Sequence, residues 1–206
     1  MSLLGIVLGI AFFVITQAQT SGFEAFFIRT ILGTNGAIRI SDRFQDMHGT
    51  VRSSSKDGKT SFFFHSKEGA LYTEGIENPK LLKDALVQFT EISGISEILE
   101  GNAILNGISR SQTVQIHGIV PSNHIMVSDL EKQIIRGELS AFELDPMTIL
   151  IGNRVAQRLM LQVGDRVNIQ GRTGNLQLRI AGFFETGVSQ IDKNRVYIHL
   201  STAKAF

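Results

Sequence analysis

The sharpest contrast between apolar and polar positions stands near the start of the chain. Leu3 to Ile15, LLGIVLGIAFFVI, is thirteen residues without a polar side chain. As a helix it spans about 20 Å, against about 30 Å for the hydrocarbon core of a bilayer. With no polar stripe, it needs lipid or a large protein interior around it. Three readings compete. A signal peptide explains the length, but no Lys or Arg precedes Arg29, and the run continues into TQAQTSGFE without a small-x-small cleavage site. A buried core helix is the ordinary assignment for an apolar run of this length, yet few residues remain to wrap it. The third reading is the outer part of a transmembrane helix, in which Gly5 and Gly9 have the small-xxx-small spacing that lets helix backbones approach in lipid. Because a first span normally carries Lys or Arg on its cytoplasmic side, that reading expects the chain to begin inside the helix.

Beyond the run, SGFEAFFIRTILG (Ser21 to Gly33) suits a helix that leaves the membrane surface as a stalk and stops at Gly33. GAIRISD (Gly36 to Asp42) alternates like a strand, and RSSSKDGK before TSFFFH predicts a hairpin turning at Asp57 and Gly58. Asn78 and Pro79 open a helix through Glu91, capped by Asn78, with Leu82, Ala85, Leu86 and Phe89 on its inner face. ISEILEGNAILNGI and TVQIHGIV read as strands on either side of the turn SRSQ, and a helix is expected over Val127 to Arg136, started by Ser128 or Asp129. The most regular unit follows. TILIG is a buried strand, NRVAQRLML a helix with Val155, Ala156, Leu159 and Met160 inward, and RVNIQG and LQLRIAGFFE a hairpin about the turn RTGN. RVYIHL is a last strand and STAKAF begins a helix capped by Ser201. Helices and strands mix without strict βαβ alternation, so the expected class is α+β. The expected domains are 1–33, the end of a transmembrane helix plus its stalk, and 34–206, a core with lobes of about 34–145 and 146–206.

Twenty basic residues against nineteen acidic ones, scattered along the chain, give no footprint for nucleic acid and no polybasic membrane patch. Hydrophobic residues make up 43% of the chain, enough for a real core beyond about Gly36. The absence of cysteine excludes disulfides, thiol catalysis and thiolate metal sites.

Two patterns imitate chemistry. Gly58, Lys59 and Thr60 in SSSKDGKT match the end of a phosphate-binding loop, but Ser53 stands where its first glycine belongs and the following FFF reads as strand, where a helix N-terminus is required. His48, His65, His117, His124 and His199 never fall at metal-binding helix spacing with one another. Glu185 and Asp165 sit at turns, where carboxylates are usually solvated or accept from nearby N–H groups. With no G-x-S-x-G elbow and no dinucleotide fingerprint, no catalytic, cofactor-binding or metal residue is expected.

GIVP (Gly118 to Pro121), TILIGNRVAQRLMLQVGDRVNI (Thr148 to Ile169) and LRIAGFFETGVSQIDKNRVYIHLSTAKAF (Leu178 to Phe206) resemble, in order and spacing, the periplasmic core of permease subunits of bacterial lipoprotein-releasing and MacB-like ABC transporters, the FtsX-like permeases. The stretch from Ser2 to Gly33 resembles the end of that family's first transmembrane helix and its stalk, while the likeness is weak between Ile40 and Asn78. The resemblance implies a MacB-like periplasmic core with two mixed lobes, anchored in the inner membrane and followed by further membrane helices. It implies a cytoplasmic ATPase subunit as the site of ATP hydrolysis and a second permease subunit, identical or related. It also implies cargo such as lipoproteins, stalks that carry movement, and neither cofactor nor nucleic acid. One departure bears on cargo. In the lipoprotein-releasing permease that recruits a periplasmic carrier, a long loop interrupts the hairpin that corresponds to RVNIQGRTGNLQLRIAGFF, whereas this chain has only GRTGN, so carrier docking is not carried over. A membrane-tethered sensor and a non-transporting regulator of a periplasmic partner remain as alternatives.

Overall fold

The computed structural model describes residues 2–41, 52–56, 59–63, 75–76, 78–107, 110–171 and 174–206. The chain forms two compact units, one of residues 38–90 and one of residues 1–37 with 91–206.

In the smaller unit β1 (Arg52–Lys56) pairs antiparallel with β2 (Lys59–Phe63), Lys56 opposite Lys59. Asp57 and Gly58, expected at the turn, lie outside the described residues. Helix α2 (Pro79–Val87) has proline in its first turn, where its missing N–H costs nothing. It ends before the expected Glu91, and the side chain of Asn78 makes no capping bond. Leu82 and Leu86 are half-buried, whereas Ala85 and Phe89 are exposed. The alternating GAIRISD is not a strand over the described residues 36–41, and Ile38 and Ile40 are exposed.

The larger unit opens with one uninterrupted helix, α1 (Ser2–Asn35), apolar enough over Gly5–Thr34 to cross a membrane and exposed from Gly5 to Ile28. It does not stop at Gly33. It ends where Gly36 takes φ +73°, a left-handed conformation free of Cβ strain in glycine alone, and the Gly36 N–H bonds back to Leu32.

The core then follows as β3 (Ile98–Asn106), β4 (Ser111–Ile119), α3 (Pro121–His124), α4 (Leu130–Gln133), β5 (Ile134–Gly137), α5 (Leu139–Leu144), β6 (Thr148–Gly152), α6 (Asn153–Leu159), β7 (Arg166–Gln170), β8 (Asn175–Phe184), α7 (Ser189–Asn194), β9 (Arg195–His199) and α8 (Leu200–Ala205). The strands pair in the order β5-β8-β6-β9-β4-β3-β7, and β7 pairs again with β8. Six strands therefore close a ring, with β5 added along the end of β8.

Alternation along the six strands of the ring turns one face of each inward. Ile149 is opposite both Ile198 and Ile180, Val196 opposite Ile116, Val114 opposite Ala103, Leu105 opposite Ile169, and Val167 opposite Leu178. These residues and Val155, Ala156, Leu159 and Leu161 form one buried cluster. Closure at this strand number leaves an interior that side chains fill. The outer face of β4, β6, β8 and β9 carries a second cluster, Ile119, Leu150, Ala181, Phe184 and Tyr197, covered by Leu130 of α4 and Phe142 of α5.

Three further expectations need correction. The helix expected over Val127 to Arg136 is one turn, Leu130–Gln133, after which Ile134–Gly137 pairs with β8. Met160 is 69% exposed, because it closes α6 in the left-handed conformation at φ 54° and sends Leu161 inward in its place. Helix α8 begins at Leu200 with His199 at its N-cap position, two residues ahead of the expected cap Ser201.

Candidate functional site

The last four carbonyls of a helix lack partners within it, and where α1 ends the core supplies partners to one of them, that of Gly33. The Gly33 carbonyl accepts from the Asp129 N–H at 2.8 Å and from Gln133 Nε2 at 3.2 Å, which engages both of its lone pairs. Gly33 is buried against Asp129: a Cβ there would stand 2.8 Å from Oδ2 and 3.4 Å from Cβ of that residue. The Asp129 carboxylate is itself held by Lys132 Nζ at 2.6 Å. Gln133 faces two ways. Its side chain reaches the end of α1, and its carbonyl accepts from the Glu185 N–H at 2.8 Å, just past the end of β8.

A second approach lies farther back along the helix, where a Cβ at Gly187 would stand 3.8 Å from Cζ of Phe26. Seven residues separate Phe26 from Gly33, about 10 Å of helix. From Gly5 to Ile28 the described side chains of α1 are exposed, among them Phe12, Phe13, Phe23 and Phe26, an apolar surface that suits lipid or neighbouring helices.

Behind this joint lies a buried polar cluster on the outer face of the ring. His117, Tyr197 and Leu150 are cross-strand neighbours, and Glu100 pairs with His117, its Oε1 lying 3.6 Å from Nδ1. Arg195 Nη1 donates to the Tyr197 hydroxyl at 3.3 Å. Burial pushes the Tyr197 phenol up, and the Arg195 charge opposes that shift in part. His124 Nδ1 stands 3.0 Å from the Ser96 hydroxyl, and its ring lies 5.6 Å from that of Tyr197. Burial, assisted by Arg195, lowers its pKa to about 4. A Ser–His pair invites comparison with an activated nucleophile, but this one is unsuited to that work. The imidazole is a very weak base, its Nε2 is buried with no hydrogen-bond partner where an orienting acid belongs, and the ring is 2% exposed. With its proton on Nδ1 the ring donates to Ser96, the tautomer that leaves only a lone pair at Nε2. Asp192 is also structural, its Oδ1 accepting from the Thr186 N–H and hydroxyl at 2.8 Å each.

The residues singled out in the sequence scatter over the fold. Lys59 and Thr60 lie in β2, a strand, so no helix N-terminus follows them. His48 and His65 lie outside the described residues. His117 and His124 share the polar cluster, while His199 meets the Phe142 carbonyl through Nε2. Asp165 accepts from the Gln162 N–H within its own turn. Among the described residues no three His, Asp or Glu side chains converge as metal ligands. Two grooves flank α8. One, of about 450 Å³, is lined by Met147, Leu176, Thr202 and Phe206, and the other, of about 420 Å³, by Ile119, Pro121 and Lys204. The Gly33, Asp129 and Gln133 contacts were not foreseen, since residues a hundred positions apart leave no local pattern.

Comparison with known proteins bears on the chain as a whole. The family described as MacB-like periplasmic core domain matches residues 1–206. The lipoprotein-releasing system transmembrane protein LolC of Xylella fastidiosa strain Temecula1 is 25% identical over 209 residues, an alignment covering 97% of this chain and 43% of the relative. LolC of Neisseria meningitidis serogroup B is 24% identical over 133 residues, covering 58% of this chain and 32% of the relative. The chain thus spans less than half the length of these curated relatives. Among solved structures, the extracellular domain of the noncanonic ABC-type transporter YknZ from Gram-positive bacteria aligns with TM-score 0.48 and 14% identity, covering 61% of this chain and 64% of that one. The periplasmic region of MacB from Actinobacillus actinomycetemcomitans aligns with TM-score 0.43 and 15% identity, covering 58% and 53%.

Proposed function

We propose, from the premise that this chain belongs to the MacB-like periplasmic core domain family, that it is the extracytoplasmic domain of an ABC transporter permease subunit. Its role is to carry ATP-driven movement from the membrane to cargo outside, such as lipoproteins being released from the inner membrane. The observation that carries this reading is the continuity of α1, 34 residues without a break, running from an apolar membrane-length segment into hydrogen bonds with the core. Such a helix is about 50 Å long, and with the apolar run Leu3 to Ile15 taking about 20 Å as the outer part of the span, about 30 Å remains beyond it. A long helix bends only gently unless proline, a bulge or an inserted group kinks it, so displacement at the membrane reaches Gly33.

On this reading the domain sits in the periplasm and the subunit in the inner membrane. It works with a cytoplasmic ATPase, where ATP hydrolysis occurs, and with a second permease subunit. Residues 1–33 are the end of the first span and the stalk, and residues 34–206 the core. The short connection between β7 and β8 argues for cargo handling without a carrier gripped at that hairpin.

The test uses the full-length permease with its ATPase in proteoliposomes. Four glycines inserted between Ser21 and Gly22 make the stalk compliant. ATP hydrolysis should persist while cargo release falls to background. Unchanged release would remove the mechanical reading, and a protein that copurifies with no ATPase while carrying a cytoplasmic signalling segment would be a tethered sensor instead. Persistent ATPase coupling with no cargo released by the unaltered protein would identify a regulator.

A further inference from the structure

We propose that Gln133 is the positioning residue that makes the stalk and the barrel move as one body. The inference rests on reading α1 as a stalk, and it adds the group through which the attachment acts. Gln133 closes α4 and precedes β5 directly, so its backbone is tied to β8 through the Glu185 N–H and through the pairing of Ile134 with Phe184. Its amide nitrogen reaches back to the Gly33 carbonyl. One residue therefore bonds the free end of the helix and the rim of the ring at the same time.

The remaining attachments are weaker as guides. The Asp129 N–H holds Gly33 at a point but leaves the carbonyl free to turn about that bond, and at Gly187 even an added Cβ would reach only van der Waals distance from Phe26. The second donor engages the other lone pair of the same oxygen and so fixes the plane of the Gly33 carbonyl, which a single bond leaves free to turn. Lys132 cannot replace it, because its ammonium is exposed and already engaged with Asp129.

The experiment measures orientation and needs neither ATP nor cargo. Spin labels are placed on the full-length protein in nanodiscs through an unnatural amino acid at Glu24 and Arg158, both exposed, on α1 and α6 respectively. Gln133→Ala and the nearly isosteric Gln133→Glu, which cannot donate, should each widen the distance distribution about twofold. Loss of one hydrogen bond should lower the melting temperature by only about 2–4 °C. Because this chain has no cysteine, Gly33→Cys with Asp129→Cys can then be oxidised to a disulfide. The Cβ separation of 3.4 Å at that pair is close to the usual value of about 3.8 Å. In the Gln133→Ala background this bond should restore the narrow distribution. An unchanged width in both variants, or a broadening that the disulfide leaves in place, overturns the proposal. Failure of the transport reading would leave these distances as they are, so the two outcomes separate.

Discussion

The Ser96 hydroxyl lies 3.0 Å from Nδ1 of His124, and this contact ties the chain just before β3 to the turn after β4. The pair makes stability depend on pH in a defined direction. His124 titrates near pH 4 when folded and near 6.5 when unfolded. Between those values the unfolded chain binds more protons, so its contribution is complete above about pH 6.5 and is lost as pH falls toward 4. Urea unfolding of the domain should give about 2 kcal/mol less stability at pH 5 than at pH 7.5 from this group. His124→Phe should flatten that difference, and an identical pH profile in the variant would assign the effect elsewhere.

Ile149 is fully buried at the point where β6 meets both β8 and β9. Ile149→Ala removes three carbons from a closed interior that cannot collapse around the gap, so the cost should be about 2–5 kcal/mol. Denaturant melts followed by circular dichroism measure it directly. A loss below about 1 kcal/mol would mean that the ring is more compliant than its strand pairing implies.

The strands around Ile149 were also the part most readable in sequence. TILIG, RVNIQ, LQLRIAGFF and RVYIH announce themselves because each has a buried face and β-branched or aromatic residues, which suit a pleated surface. The closed order of the strands was not readable, since the pairing of β4 with β9 joins residues 80 positions apart. Ile134 and Ile135 fell inside the helix expected over Val127 to Arg136, whereas their β-branched side chains suit the strand they form beside the end of β8. Pro121 was a usable signal for α3 that the alternation of the preceding strand obscured. The joint at Gly33 left no trace: its donors are a backbone N–H and one glutamine, neither unusual in composition.

Gly118 and Gly101 occupy similar strand positions with opposite surroundings. A Cβ at Gly118 would press well inside van der Waals contact with Cβ of Ala203 on α8, whereas one at Gly101 meets nothing within 4 Å. Gly118→Ala should cost about 1–3 kcal/mol and loosen α8, visible as faster amide exchange at Thr202 and Ala203. Gly101→Ala should be neutral or gain about 0.5–1 kcal/mol, because strand glycines lose more entropy on folding. Equal effects at both sites would contradict the packing of α8 across this end of the ring.

The exposed flank of α1 predicts how the domain behaves without the apolar opening of that helix. Removing Met1–Ile15 takes away no buried side chain among the described residues. The truncated domain should unfold cooperatively at the temperature of the longer one and stay monomeric without detergent, as sedimentation and calorimetry would report. Loss of a cooperative transition would show that the segment serves the core.

Closure of the ring also dictates an order of assembly on the ribosome. Strand β9 slots between β4 and β6, so until Arg195–His199 has emerged those two strands have no common neighbour. By then α1 has long since left the exit tunnel. Until then the growing polypeptide must hold an unfinished sheet open to its surroundings. Contacts between distant residues form slowly, so this waiting interval is when premature association is most dangerous and a chaperone would help most.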